Sequence, residues 1–335
     1  MKKILFIIKN KNEASSRFRV GAYLPYLQQD FSYQIFYAEY NNKKIPKFLR
    51  SVWKRVLFLR LFFQINRYDV IFMQRPMSSD KKKSTMFEYL LSKLHSKIIF
   101  DFDDALFVQN ETKIQSLCKL SNSVICGNDY LADFAKKHNP NTYIIPTTID
   151  TQKYIPKTHP TTKKLTVGWT GTSGNYANFS QNLIETLQKL TQKYENLSIL
   201  FICDKKPPKH FNFPYNFIQW QESSEVEDLQ KIDIGLMPLE DSAWTRGKCG
   251  FKLIQYGSIG VASVGSDVGV NSQIIINNTT GYLISKESEW YNALELLIQD
   301  DSKRKDMGQE ARKHIINNYD TLGNYKQLQT ILHEV

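Results

Sequence analysis

The feature that most constrains this chain is a rhythm of short, continuous apolar runs separated by amphipathic stretches. In the first half the runs are "KILFII", "YQIFYA", "YDVIFMQ", "KIIFDF", "SVICGN" and "NTYIIPTT". Between them "SSRFRVGAYLPYLQQ" sets Val20, Leu24 and Leu27 on one helical face, and "TMFEYLLSKL" reads as a second helix. A strand exposed on one face alternates apolar with polar residues. Strands apolar at nearly every position are buried on both faces, as in parallel sheets whose crossovers are helices. The expected fold class is therefore α/β, with doubly wound parallel sheets.

The rhythm lapses at residues 150–164, "DTQKYIPKTHPTTKK", where Pro, Thr and Lys replace periodicity, and then restarts. "KLTVGWTG", "LSILFIC", "NFIQW", "DIGLMPL" and "VASVG" are strands. "NLIETLQKLTQKY", "GFKLIQYGSIG", "EWYNALELLIQ", "KDMGQEARKHIINNY" and "YKQLQTILHEV" are helices. A chain of 335 residues suits two such domains, 1–150 and 151–320, with the last helix, about 321–335, a candidate to pack back on the first. Ligands of doubly wound sheets bind at the carboxyl ends of the strands, so a cleft lined by two rows of strand ends is the expected site. The opening "MKKILFIIKN" is too short an apolar run for a secretory signal, and no uncharged apolar stretch is long enough to span a membrane.

Charge is unevenly distributed. Residues 1–150 hold 24 Lys and Arg against 13 Asp and Glu, whereas the rest of the chain balances. A basic first half suits an anionic partner. Residues 43–67, "KKIPKFLRSVWKRVLFLRLFFQINR", carry eight Lys and Arg and no acid. On a helix, Phe48, Leu49, Val52 and Trp53 share one face and Lys47, Arg50 and Lys54 the other. Such a helix either packs on the core with a solvated basic face or lies at an anionic membrane surface, with "KKK" at 81–83 adding to the same charge. Nucleic acid is disfavoured as a partner, because no RRM, zinc-finger or helix-turn-helix signature accompanies the charge. The four cysteines form no CxxC pair and none of the six histidines sits in a motif, which argues against zinc and against a histidine base.

Two clusters carry candidate chemistry. "IIFDFDDALF" places Asp101, Asp103 and Asp104 within four positions at the end of an apolar strand, a repulsion that needs a partner, a proton or water. The acids are then a catalytic or metal site, or caps of a following helix. The run also resembles the opening motif of haloacid dehalogenase-type phosphatases, with Asp101 as nucleophile and Asp103 as general acid. Asp104-Ala105 stands where those proteins have Gly-Thr, and the motif arrives about 100 residues into the chain. The second cluster lies in the other half. Gly171, Thr172 and Ser173 form a turn after a strand, a place where backbone N–H groups can hold phosphate. Arg246, Lys248 and Lys252 surround a Gly-rich helix entry, with Gln255 about one turn beyond Lys252. Three cations at a helix start suit a diphosphate, and a polar residue one turn on suits sugar or ribose hydroxyls.

"GFKLIQYGSIGVASV" resembles the nucleotide-sugar-binding helix of glycosyltransferase family 4, and "IIPTTIDTQKYIP" and "MGQEARKHIINNY" resemble that family's interdomain strand and C-terminal helix. "SSRFRVGAYLPYL", "IIFDFDDALF" and "WTRGKCGFKLIQY" together resemble a bacterial cell-surface branch of it. The resemblance implies a GT-B fold and retaining, metal-independent transfer from a nucleotide-diphosphate sugar, with no cofactor, and the basic, apolar first half suits a glycan or polyprenyl-phosphate-linked acceptor. The chain is expected to be cytoplasmic, either free or peripheral at the inner face of the plasma membrane. Asp103 and Asp104 fall where the family has His-Asp, so that one carboxylate meets a sugar hydroxyl while the other caps or holds its loop. Lys252 matches the family's lysine. The paired glutamates fall on Gly247 and Gln255, so the first acidic contact is missing. Arg17 and Arg19, at the first helix, are expected either to hold an acceptor phosphate or to form surface ion pairs. A protein that binds the nucleotide sugar without turning it over also fits.

Overall fold

A computed structural model describes residues 1–38, 47–77, 85–156 and 164–335. The chain forms two compact units, one of residues 1–148 with 321–335 and the other of residues 149–320.

The first unit is built on six parallel strands: β1 (Lys3–Ile8), β2 (Ser32–Tyr37), β3 (Val70–Gln74), β4 (Ile98–Phe102), β5 (Ser123–Cys126) and β6 (Thr142–Ile144). Their order across the sheet is β2-β1-β3-β4-β5-β6, so the chain leaves β1 in one direction and resumes at β3 in the other. The β1/β3 boundary is the switch point at which sheets of this kind bind ligands. β1, β3, β4 and β5 are almost wholly buried, as their unbroken apolar runs require. Ile4, Phe6, Val70, Phe72 and Ile99 make one side of the core, and Tyr325, Leu328, Ile331 and Leu332 of the Thr321–Glu334 helix complete it. Tyr325 Oη donates to Asp30 at 2.6 Å and Lys2 Nζ donates to the His333 carbonyl at 2.7 Å, fastening that helix in place.

The stretch read as one helix from "SSRFRVGAYLPYLQQ" is broken. Ala14–Arg19 and Leu24–Asp30 are separate helices joined by a short turn at Gly21–Tyr23. Pro25 explains the restart, since it lacks an N–H and is at home only in a first helical turn. The basic stretch is a helix over Lys47–Gln64. The side chains of Lys47, Phe48, Leu49, Arg50, Trp53 and Lys54, and residues 81–83, lie outside the described residues. No described helix is long and apolar enough to cross a membrane.

The second unit repeats the plan with β7 (Leu165–Gly171), β8 (Leu197–Cys203), β9 (Asn216–Gln219), β10 (Ile234–Met237), β11 (Ala262–Ser266) and β12 (Gly281–Ile284). All are parallel, in the order β12-β11-β10-β7-β8-β9. Here the switch point lies between β7 and β10. Those strands pair only at Val167–Ile234 and Gly168–Gly235 and then diverge. Tyr256, from the Phe251–Ser258 helix, fills the divergence: its hydroxyl accepts the Thr170 N–H at 3.0 Å. Its ring lies against Gly235, where a Cβ would sit 2.3 Å from the ring. Strand β12, "GYLI", is too short and too closely framed by turn residues to stand out in the sequence.

Candidate active site

At the carboxyl end of β4, the strand next to β3, each of the three acids has an arginine. Asp101, near the end of β4, accepts from Arg19 Nε at 3.2 Å and also from Arg19 Nη2, while Arg19 Nη1 donates to the Ile145 carbonyl at 2.5 Å. Arg19 is only 3% exposed. Burial pulls both partners towards neutrality and lifts Asp101 above the ordinary carboxylate range. On Arg19 burial is outweighed by attraction to Asp101, which raises the guanidinium above its ordinary value and keeps it charged. This pair corrects two expectations. Arg19 forms a buried ion pair where a surface one was the alternative, and its guanidinium is committed to Asp101 and the Ile145 carbonyl. Both oxygens of Asp101 are held by Arg19 inside the unit, which disfavours it as a phosphatase nucleophile. Arg17 is half-buried, with its guanidinium carbon 4.9 Å from the Phe18 ring centre.

Asp103 and Asp104 share Arg75, a residue that sequence reasoning did not single out. Arg75 Nε donates to Asp103 Oδ1 at 2.9 Å, Nη2 reaches both Asp103 and Asp104, and Nη1 lies 3.4 Å from Glu13 Oε1. Its own N–H donates to the Asp101 carbonyl at 2.8 Å, extending the β3–β4 ladder by one bond. The backbone φ of Arg75 is +64°, a left-handed conformation uncommon outside glycine. The only hint in the sequence is "QRP", because a following proline keeps residue 75 out of the right-handed helical region. The Phe107–Leu120 helix has Leu106 at its N-cap, which offers no side-chain cap. Asp103 is buried, whereas Asp104 is partly exposed.

The same strand ends hold hydrogen-bonding atoms that remain unmatched. Glu13 Oε2, Ser15 Oγ, Gln74 Nε2 and Thr147 Oγ1 are buried without a partner among the described residues, in a unit where most such atoms are paired. Ser16 Oγ, beside them, donates to Gln74 Oε1 at 3.4 Å. Glu13, Ser15 and Gln74 follow β1 or end β3, the two strands that define the switch point. The described residues contain no group of three or more His, Cys, Asp or Glu placed to hold a metal ion.

In the second unit the sequence-predicted residues divide. Gly171 and Lys252 come together: a Cβ on Gly171 would lie 2.9 Å from Lys252 Cε and 2.7 Å from the Trp169 ring. Lys252 Nζ sits 5.6 Å from the Trp169 ring centre, within cation–π range. Lys252 is the second residue of the Phe251–Ser258 helix, entered through Gly250 in the left-handed region at φ +62°. Its ammonium therefore stands at the positive end of a helix dipole, beside the switch point. Lys248, two residues before the helix, is half-buried with Nζ 5.9 Å from the Trp244 ring centre.

The remaining candidates face other partners. Arg246 is exposed and makes a bidentate pair with Asp241, at 2.6 and 2.7 Å. Gln255 is buried and donates to Glu225 Oε1 at 3.2 Å, a carboxylate that also takes the Trp220 indole N–H and the Tyr154 hydroxyl. Its amide is thus a core contact where a ribose ligand was expected. In the glycine turn, the Ser173 N–H and hydroxyl both donate to Asp204, at 2.6 and 3.0 Å, and Thr172 Oγ1 accepts from Asn175. At Ser173 the expected phosphate cradle holds a carboxylate of the protein itself, and Thr172 is paired with an amide. Of the donor-side residues, Lys252 and Gly171 lie against each other beside the β7/β10 switch point.

Residues 180–314 match the family model for glycosyl transferases group 1. The match includes Arg246, Lys248, Lys252 and Gln255 and stops short of Gly171. No curated protein sequence gives a significant match. Among solved structures, Anabaena Alr3699/HepE in complex with UDP and glucose superposes with a TM-score of 0.74 at 14% identity, over 100% of both chains. The sucrose-phosphate synthase tll1590 of Thermosynechococcus elongatus gives 0.75 at 12% identity, over 100% of this chain and 99% of that one. The apo form of the lipopolysaccharide outer core galactosyltransferase WaaB gives 0.68 at 12% identity, over 99% of both. The architecture is the two-domain GT-B glycosyltransferase fold.

Proposed function

We propose that this chain is a glycosyltransferase whose second unit binds a nucleotide-diphosphate sugar and whose first unit takes a glycan or lipid-linked acceptor. The observation that carries this reading is Lys252. It stands at the start of a helix, over Gly171 and Trp169, beside the switch point of a unit that largely matches glycosyl transferases group 1. A uridine diphosphate sugar is the donor class favoured, because a solved structure that aligns over 100% of both chains has been captured with UDP-glucose. A role in a surface glycan is favoured by likeness to lipopolysaccharide transferases.

The proposed chemistry follows from charge. A departing nucleoside diphosphate accumulates negative charge, which Lys252, Lys248 and the helix dipole stabilise without reorganising. We assign no resident cofactor or metal. Transfer is proposed to retain configuration, with the acceptor oxygen entering on the face the diphosphate leaves. The difference in exposure supports different tasks for the two carboxylates. Asp104 is the one that meets an acceptor or donor-sugar hydroxyl, and Asp103, buried under Arg75, positions it. Asp104→Asn should lower kcat by about 100-fold, the scale of one proton-accepting group, while UDP affinity stays within twofold. Transfer from UDP-sugars to lipid-linked glycan, followed by chromatography, reads the first, and calorimetry the second. Unchanged turnover would remove Asp104 from the reaction.

A further inference from the structure

We propose that the outward faces of the Lys47–Gln64 and Met86–Leu94 helices form a docking surface for the headgroup layer of an anionic lipid bilayer. At 100° per residue Val52, Val56, Leu59 and Phe63 fall within about 60° of arc. All four are exposed, Phe63 to 86%. The opposite side of the helix is the buried one, carrying Phe58 and Leu61. A surface helix that has already buried one apolar face ordinarily presents a polar one to water. This helix presents a second apolar face, bordered on one flank by exposed Arg55 and on the other by exposed Arg60.

The neighbouring helix repeats the pattern. Met86, Tyr89, Leu90 and Leu94 are exposed, and Lys93 lies among them with its ammonium 5.2 Å from the Tyr89 ring centre. The two helices pack through Phe58 and Phe87, whose rings stack 4.4 Å apart. Glu88 is the single acid in both helical sequences, and it is buried 3.9 Å from Lys113. Neither helix therefore exposes a carboxylate.

Apolar side chains ringed by cations, with no exposed acid, suit an interface whose outer layer is anionic and whose depth is hydrocarbon. Phe63 and Leu59 would enter the acyl boundary, while Arg55 and Arg60 reach back to phosphates along their own methylene stems. A symmetric pairing with a second copy would set this arginine-bordered face against itself, an unfavourable approach. The surface does not depend on the donor chemistry proposed above.

The test is co-sedimentation of the full chain with vesicles of phosphatidylcholine alone, or of phosphatidylcholine and phosphatidylglycerol in equal parts. Strong pelleting is expected only with the anionic vesicles, weakening as salt is raised. Arg55→Gln with Arg60→Gln should weaken it about 25-fold, at roughly fivefold per cation near such a surface. Leu59→Asp with Phe63→Asp should abolish it, with circular dichroism unchanged because both positions are exposed. Failure of the parent chain to pellet, equal pelleting with both vesicle types, or normal pelleting by the Asp variant would each overturn the proposal. A lipid-free dimer that Leu59→Asp dissociates would overturn it too, by assigning the face to a second copy. UDP affinity is read separately, so failure of the donor reading leaves the pelleting result standing.

Discussion

At the residue scale the puzzle of this chain is three carboxylates at one strand end, and the answer is two arginines. Asp101 is held by Arg19, and Asp103 and Asp104 by Arg75. The sequence shows the need for compensation plainly, since carboxylates this close raise one another's pKa. It does not show the source. Arg19 precedes Asp101 by 82 positions and Arg75 arrives from a different strand, so the pairing exists only once β1, β3 and β4 lie side by side. Arg75 also holds a left-handed backbone. Arg75→Ala should destabilise the first unit by about 3–5 kcal/mol, because two acids lose their buried partner. Arg75→Gly loses the same ion pairs but adopts φ +64° freely, so it should be less harmful than alanine by about 1 kcal/mol. Urea titrations of the three proteins measure both differences. Equal stability of the alanine and glycine variants would mean that the conformation costs nothing.

At the scale of elements, the strands were legible, β12 apart, because buried parallel strands announce themselves as unbroken apolar runs. The Phe251–Ser258 helix was legible too, and with it the place of Lys252 near its start. What the sequence could not show is which polar groups each helix and turn would turn towards the protein's own interior. Gln255 faces Glu225, and Ser173 faces Asp204, because neighbouring strands bring those carboxylates within reach. Gly171 is a glycine for a reason of packing: Lys252 and Trp169 crowd the space a side chain would take. Gly171→Ala should therefore push Lys252 aside and weaken nucleotide binding several-fold. The melting temperature should fall by about 4 °C or less, the shift that about 1 kcal/mol causes in a unit of this size. Calorimetric titration and thermal melting measure the two effects. Undiminished binding would show that Lys252 reaches its ligand by another path.

At the scale of the molecule, the division into two sheets follows from the lapse in rhythm at residues 150–164, and the surplus of positive charge belongs to the first part of the chain. The last helix crosses that division in sequence: Leu328, Ile331 and Leu332 are buried in the first unit's core. Ile331→Ala should cost about 2–5 kcal/mol through the cavity it leaves. Hydrogen exchange should register the loss at β1 and β3 and leave β7 and β8 protected; uniform loss would mean that the two units unfold together. The most direct measurement remains a calorimetric titration of UDP into the parent chain and into Lys252→Ala, with circular dichroism confirming equal folding. The parent should bind, and the variant should bind about 10- to 100-fold more weakly, the worth of one charge-assisted contact. Equal affinities, or no binding of UDP or any other nucleoside diphosphate by the parent chain, would contradict a diphosphate site at the start of the Phe251–Ser258 helix.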